Sequence, residues 1–227
     1  MASWSADQLG DASGEVLVVF IHGGFWRERF TIDAIAPLAV ACGQLGLWAW
    51  NIEYPRIGMP GGGWPGTAIA VRDAVDGALE AAAGRPVALI GHSAGGQLAL
   101  WAAGERPVSV VVSLAGVCDM EAGARAAIGN RAVQEFLAAE PDADPELYVA
   151  ASPIRRLPLG VPTLLIHGDE DDRVPIEQSR SYAAAARAAG DDCPLSELPG
   201  VDHFKLIDPS GEAWKIVRAR LEALSPQ

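Results

Sequence analysis

Ser93 stands between two glycines in Gly91-His92-Ser93-Ala94-Gly95, directly after the apolar run 86–90 and directly before a helix-forming stretch, 97–103. On a tight strand-to-helix corner a serine hydroxyl is pushed into the open. The free N–H groups of the helix that starts there, Ala94 first, point at whatever the hydroxyl attacks. Glycines on either side let strand and helix pass closely. Such a serine suits acyl transfer, provided the chain also supplies a base, an acid for that base and donors for a developing oxyanion.

Only four histidines are available as the base. His92 adjoins Ser93 in the turn, where neighbouring side chains diverge, and His22 and His167 each end an apolar run immediately before a glycine. Those three read as loop-orienting residues. His203 lies in Gly200-Val201-Asp202-His203-Phe204, a loop after the last apolar run, where it is free to reach Ser93, and it is the expected base. A carboxylate must fix its tautomer, and Asp169, Glu170, Asp171 and Asp172 crowd the loop after the run 161–166. Asp171 is preferred, spacing alone leaves Asp172 open, and Asp119, behind the previous strand, is an outside candidate. The oxyanion donors are expected in His22-Gly23-Gly24-Phe25-Trp26, from the amides of Gly24 and Phe25, completed by that of Ala94. Phe25, Trp26, Tyr54 and Trp64 are expected to line the substrate pocket, with Trp101 packing on the helix behind the serine.

Elements that could hold these residues together alternate along the chain. Largely apolar runs at 16–21, 47–52, 86–90, 108–114 and 161–166 read as strands, the first of them buried on both faces, and 194–198 as a short last strand. Helical patterns fall between them at 32–45, 64–83, 97–103 and 176–189, with a closing helix at 210–224. That alternation predicts an α/β fold, a mostly parallel sheet of about six strands between helix layers. Reactive groups in such a sheet collect at the carboxyl ends of the strands, and there the serine, glycine, histidine and acid motifs fall. Residues 1–227 read as a single domain. Within it, 118–159 loosens into short helices broken by prolines and reads as a small helical cap or insertion.

Composition narrows the classes. The chain has 227 residues, 50% apolar and 20% charged, which is globular composition. A net charge of −12, with 17 Lys and Arg scattered along the chain, argues against nucleic acid and anionic membranes as partners. Three widely spaced cysteines make neither a disulfide framework nor a zinc site. The amino terminus carries no signal-peptide pattern and no apolar stretch is long enough to span a bilayer, so a cytoplasmic protein is expected.

Taken together, these motifs resemble those of α/β-hydrolase-fold serine esterases. His22-Gly23-Gly24-Phe25-Trp26 looks like their oxyanion motif, Gly91-His92-Ser93-Ala94-Gly95-Gly96 like their nucleophile elbow, and His167-Gly168 with Asp171, Val174 and Pro175 like their acid loop. The last likeness selects Asp171 over Asp172. The segment 148–153 is similar to the catalytic domain of prolyl-oligopeptidase-type hydrolases, and the Phe25-Trp26 pair to the motif of kynurenine formamidases. The resemblance implies an N-terminally truncated sheet, because such esterases have further strands before the oxyanion strand. It implies a carboxylesterase acting through an acyl-enzyme, with a Ser93, Asp171, His203 triad, a small-molecule ester or amide as partner, and neither cofactor nor metal. The alternatives are an arylformamidase and, more remotely, a non-catalytic ligand-binding relative.

Overall fold

A computed structural model describes residues 4–224. Its centre is a seven-stranded sheet in the order β1-β3-β2-β4-β5-β6-β7. In chain order the elements are β1 (Ser5–Leu9), β2 (Leu17–Ile21), α1 (Ala36–Gln44), β3 (Trp48–Glu53), α2 (Gly66–Ala82), β4 (Val87–His92), α3 (Ala94–Ala103) and β5 (Val110–Leu114). Three short helices follow, α4 (Met120–Arg125), α5 (Ile128–Leu137) and α6 (Pro145–Ala151), then β6 (Thr163–Gly168), α7 (Glu177–Ala189), β7 (Leu195–Leu198) and α8 (Glu212–Glu222).

Strands β2 to β7 pair in parallel, and β2, β4, β5 and β6 are buried along their whole length, as their unbroken apolar runs require. Alternate residues face opposite helix layers. Leu17, Val19, Ile21 and Leu89 share a core with α2, α3 and α7, whereas Val18, Phe20, Ala88 and Ile90 share one with α1 and α8. Among the described residues no helix is long and apolar enough to cross a membrane.

Where about six strands are expected, the sheet has seven. The additional strand, β1, pairs antiparallel with β3, Ser5 opposite Glu53 and Leu9 opposite Ala49. Its sequence, Ser-Ala-Asp-Gln-Leu, is short and only Ala6 and Leu9 are half-buried. An edge strand held mainly by its backbone ladder carries little hydrophobic pattern to read.

Candidate active site

Four loops meet at the carboxyl edge of the sheet. The first is the corner between β4 and α3. Ser93 has φ 58° and ψ −120°, a conformation that non-glycine residues rarely adopt, and its N–H is held by Leu114 O at 2.8 Å. Both flanking glycines are required by close approach. A Cβ on Gly91 would fall 2.1 Å from Gly95 O, and one on Gly95 would fall 2.0 Å from Ile21 O. The corner is therefore wedged between β2 and the start of α3.

The second loop follows β6 and carries Asp171. Asp171 Oδ1 accepts from the amides of Arg173 (2.8 Å) and Val174 (2.9 Å), and its Oδ2 accepts from His203 Nδ1 at 2.6 Å. His167 Nε2–H donates to Val174 O at 3.0 Å and lies 3.3 Å from the same Oδ2, while its Nδ1 meets Ser179 Oγ at 2.8 Å. Burial pushes the Asp171 carboxyl up, but the hydrogen bonds from His167 and His203 and the charge on His203 outweigh it and hold the group well below the usual carboxylate range. Asp172 points away, half-paired with Arg173 at 3.2 Å with its side chain mostly exposed, and Asp119 caps α4 through the Ala122 amide.

His203 is 3% exposed. Because its Nδ1–H donates to Asp171, its Nε2 is left as the basic nitrogen. His92 Nε2–H supports the loop by donating to His203 O at 3.1 Å, and the two rings lie 4.4 Å apart. Burial, reinforced by repulsion from His203, drives the His92 pKa down to about 3, so this imidazole is neutral.

The fourth loop follows β2. Gly24, Phe25 and Trp26 all have positive φ (111°, 55° and 57°), and a Cβ on Gly23 would lie 2.9 Å from Ser93 Cβ, so the loop passes directly beside the serine. Two buried networks hold it. His22 Nδ1–H donates to Gly23 O at 2.7 Å, and its Nε2 faces Glu53 at 2.9 Å, where the carboxylate also binds Arg56 and the Tyr54 amide. Trp26 Nε1–H donates to Gln97 Oε1 at 3.1 Å, and Gln97 in turn donates to Ala151 O at 3.0 Å.

A cavity of about 190 Å³ opens at this junction, with Ser93, His203 and Phe25 in its wall beside Phe30, Phe204 and Ile207. Three of the four aromatics expected in the pocket lie elsewhere. Tyr54 is fully buried, stacked on His22 at 4.3 Å with its hydroxyl donating to His22 O at 2.6 Å. Trp26 is fully buried too, stacked on Phe136 at 4.6 Å, and Trp64 sits edge-on to Trp101 at 5.4 Å. The first two hold up the loop that carries Gly24 and Phe25, and Trp64 packs under the insertion. Burial of Trp26 also removes half of the aromatic pair that suggested a formamide substrate. Phe30, Phe204 and Ile207 replace them as walls. Of these, Phe204 had a local signal in its position next to His203.

A strained serine at the corner between the central parallel strand and its helix, on a mostly parallel sheet covered on both faces, defines an α/β-hydrolase. Residues 69–221 match the prolyl oligopeptidase family, and the chain belongs to that family. It is 29% identical over 219 residues to the esterase LipC of Mycobacterium tuberculosis, a match covering 85% of this chain and 54% of LipC. It is 27% identical to the esterase LipQ of the same organism, over 88% of this chain and 52% of LipQ. The chain thus spans about half the length of these relatives. Among solved structures, an acetyl ester-xyloside bifunctional hydrolase from Caldicellulosiruptor lactoaceticus matches with TM-score 0.81 at 18% identity, over 97% of this chain and 87% of that one. The thermophilic esterase Est2 of Thermogutta terrifontis matches with TM-score 0.73 at 19% identity, over 97% and 88%. At such identities the likeness is one of fold.

Proposed function

We propose that this protein is a serine hydrolase of small carboxylic esters, working through an acyl-enzyme without a cofactor. Ser93 attacks the ester carbonyl while His203 Nε2 takes its proton. Asp171 orients the imidazole and stabilises its protonated form, and the proton then passes to the departing alcohol. Water, activated by the same nitrogen, releases the acid. The amides of Gly24, Phe25 and Ala94 hold the oxyanion. Among the described residues none accepts a hydrogen bond from these three amides, which leaves them for a ligand. Esterase, rather than peptidase, is favoured by the names of both mycobacterial relatives.

One observation carries the reading. His203, closed onto the buried Asp171 at 2.6 Å, lines the same cavity as a strained, glycine-flanked serine. The cavity is small and its walls beyond the reacting groups are mainly aromatic and aliphatic, which suits short acyl chains. Residues 118–159 act as its cap. The kinked start of α5 packs on the oxyanion loop, where a Cβ on Gly129 would meet Phe25 Cδ1 at 2.2 Å, and Arg27 ties that loop to Glu135 and Asn130 O.

Turnover of 4-nitrophenyl butyrate by the wild type and by Ser93→Ala tests the mechanism. The variant is expected to keep its fold and lose at least about 10³-fold in kcat. Hydrolysis persisting at the wild-type rate would exclude Ser93 as the nucleophile.

A further inference from the structure

Across Phe25 and Arg173 from the catalytic cavity lies a second cleft, of about 460 Å³ and quite different in character. Arg27, Arg29, Asn130, Asp172 and Arg173 line it, and because Phe25 and Arg173 stand in the walls of both spaces, the two adjoin. Three arginines thus line a cleft adjoining the cavity that holds Ser93, in a chain whose net charge is −12.

Their charges are not equally committed. Arg27 is taken up by Glu135 at 2.6 Å. Arg173 meets Asp172 at 3.2 Å, an ion pair whose side chains are 50% and 71% exposed, and among the described residues its guanidinium makes no hydrogen bond. Arg29 lies over the Phe30 ring at 4.8 Å and, among the described residues, has no carboxylate within ion-pairing distance. Setting Glu135 against Arg27 and Asp172 against Arg173 leaves the charge of Arg29 unmatched at the mouth of the site.

We propose that Arg29 and Arg173 form an anion-recognising subsite, and that the preferred substrates are esters of a small apolar acid with an alcohol or phenol that itself carries a carboxylate. The inference rests on the esterase reading and adds the substrate class to it. A carboxylate matches the planar donor fork of arginine. The carboxylate belongs on the leaving half because the two spaces differ in access. The apolar cavity, whose Ser93, His92 and His203 are each under 5% exposed, retains the acyl group through the acyl-enzyme. The arginine cleft is walled mostly by exposed residues, Arg29, Asn130, Asp172 and Arg173, and through it the alcohol departs while water enters.

The test compares kcat/KM for 4-acetoxybenzoate and for phenyl acetate within each enzyme, so that any loss common to both substrates cancels in the ratio. At low ionic strength the ratio is expected to fall about three- to tenfold from wild type to Arg29→Gln/Arg173→Gln, mainly through KM of the carboxylate ester. In the wild type alone, raising salt to about 0.5 M is expected to move the ratio toward that of the variant, because exposed charges are screened. A ratio unchanged by both the substitutions and salt would overturn the subsite while leaving the esterase intact. Failure of the wild type to hydrolyse phenyl acetate and 4-nitrophenyl butyrate would overturn the esterase reading itself, and this inference with it.

Discussion

His92 offers a perturbation whose size follows from its surroundings. The imidazole is 4% exposed, donates from Nε2 to His203 O at 3.1 Å, and has a pKa lowered from 6.5 to about 3. Burial is the main cause. The positive charge that His203 and His167 carry when protonated adds to it, while Asp171 and the bond to His203 O oppose it. A histidine with its folded pKa below the unfolded one stays neutral in the fold where the unfolded chain has bound a proton. Its contribution is complete above about pH 6.5 and is lost as pH falls toward 3. At pH 4.5 the unfolded chain is protonated two units below its pKa and the folded chain scarcely at all, which at 1.36 kcal/mol per unit amounts to about 3 kcal/mol. His92→Gln keeps an N–H donor for His203 O and cannot take the charge. Urea unfolding of both proteins at pH 7.5 and 4.5 is the assay, since every other titrating group is common to the two. The wild type is expected to lose about 3 kcal/mol more than the variant between those pH values. Equal losses, or a larger loss in the variant, would refute the view that His92 is held neutral by burial beside His203.

Asp171→Asn keeps an oxygen for the Arg173 and Val174 amides but turns N–H₂ toward His203 Nδ1, forcing the ring proton onto Nε2; kcat for 4-nitrophenyl butyrate is expected to fall about 10⁴-fold with the melting curve nearly unchanged. Gly91→Ala drives a methyl group to 2.1 Å from Gly95 O, a backbone atom, so α3 must move off β4; a loss of about 2–3 kcal/mol in urea unfolding is expected. Glu53→Ala strips the carboxylate from Arg56, which is 4% exposed; unfolding should show a loss of about 3 kcal/mol, with kcat falling more than KM rises as the His22 loop slackens.

Legibility in the sequence followed from what each residue's position demands. The inner strands could be read because strands buried on both faces need an unbroken apolar run, and the reactive motifs could be placed because each such run ends in polar or glycine-rich residues. Edge strand β1 has no buried face and left no run to find. The pocket was legible as a set of loops but not as a set of side chains. Trp26 and Tyr54 sit in the right loops, yet the left-handed backbone at Phe25 and Trp26 turns consecutive rings in unrelated directions, Phe25 into the cavity and Trp26 into the core. Side-chain direction through such a turn is set by tertiary packing, here Phe136 and Gln97 for Trp26 and Gly129 for Phe25. The arginine cleft was invisible for a related reason. Arg27, Arg29 and Arg173 come from loops about 145 residues apart, and no local run of charge announces them.

Strain also explains why so much buried polar structure surrounds this site. Ser93, Phe25 and Trp26 are non-glycine residues at positive φ, and each such conformation costs on the order of 1–3 kcal/mol in the more unfavourable cases. A loop that carried that cost alone would relax, and its amides would lose the placement that the proposed oxyanion role needs. The His22–Glu53–Arg56 network anchors one end of the loop 22–26 to β3, and the Trp26–Gln97–Ala151 chain anchors the other to α3 and the insertion. Gln97 lies on α3, one turn beyond Ser93, so the corner and the loop 22–26 share a single support. Substitutions in either network should therefore act on kcat through the placement of the amides, whereas those at Arg29, Phe30, Arg173 and Phe204 should act on which ester is chosen. The division follows from where each group stands, the first buried beneath the loop and the second facing the two clefts above it.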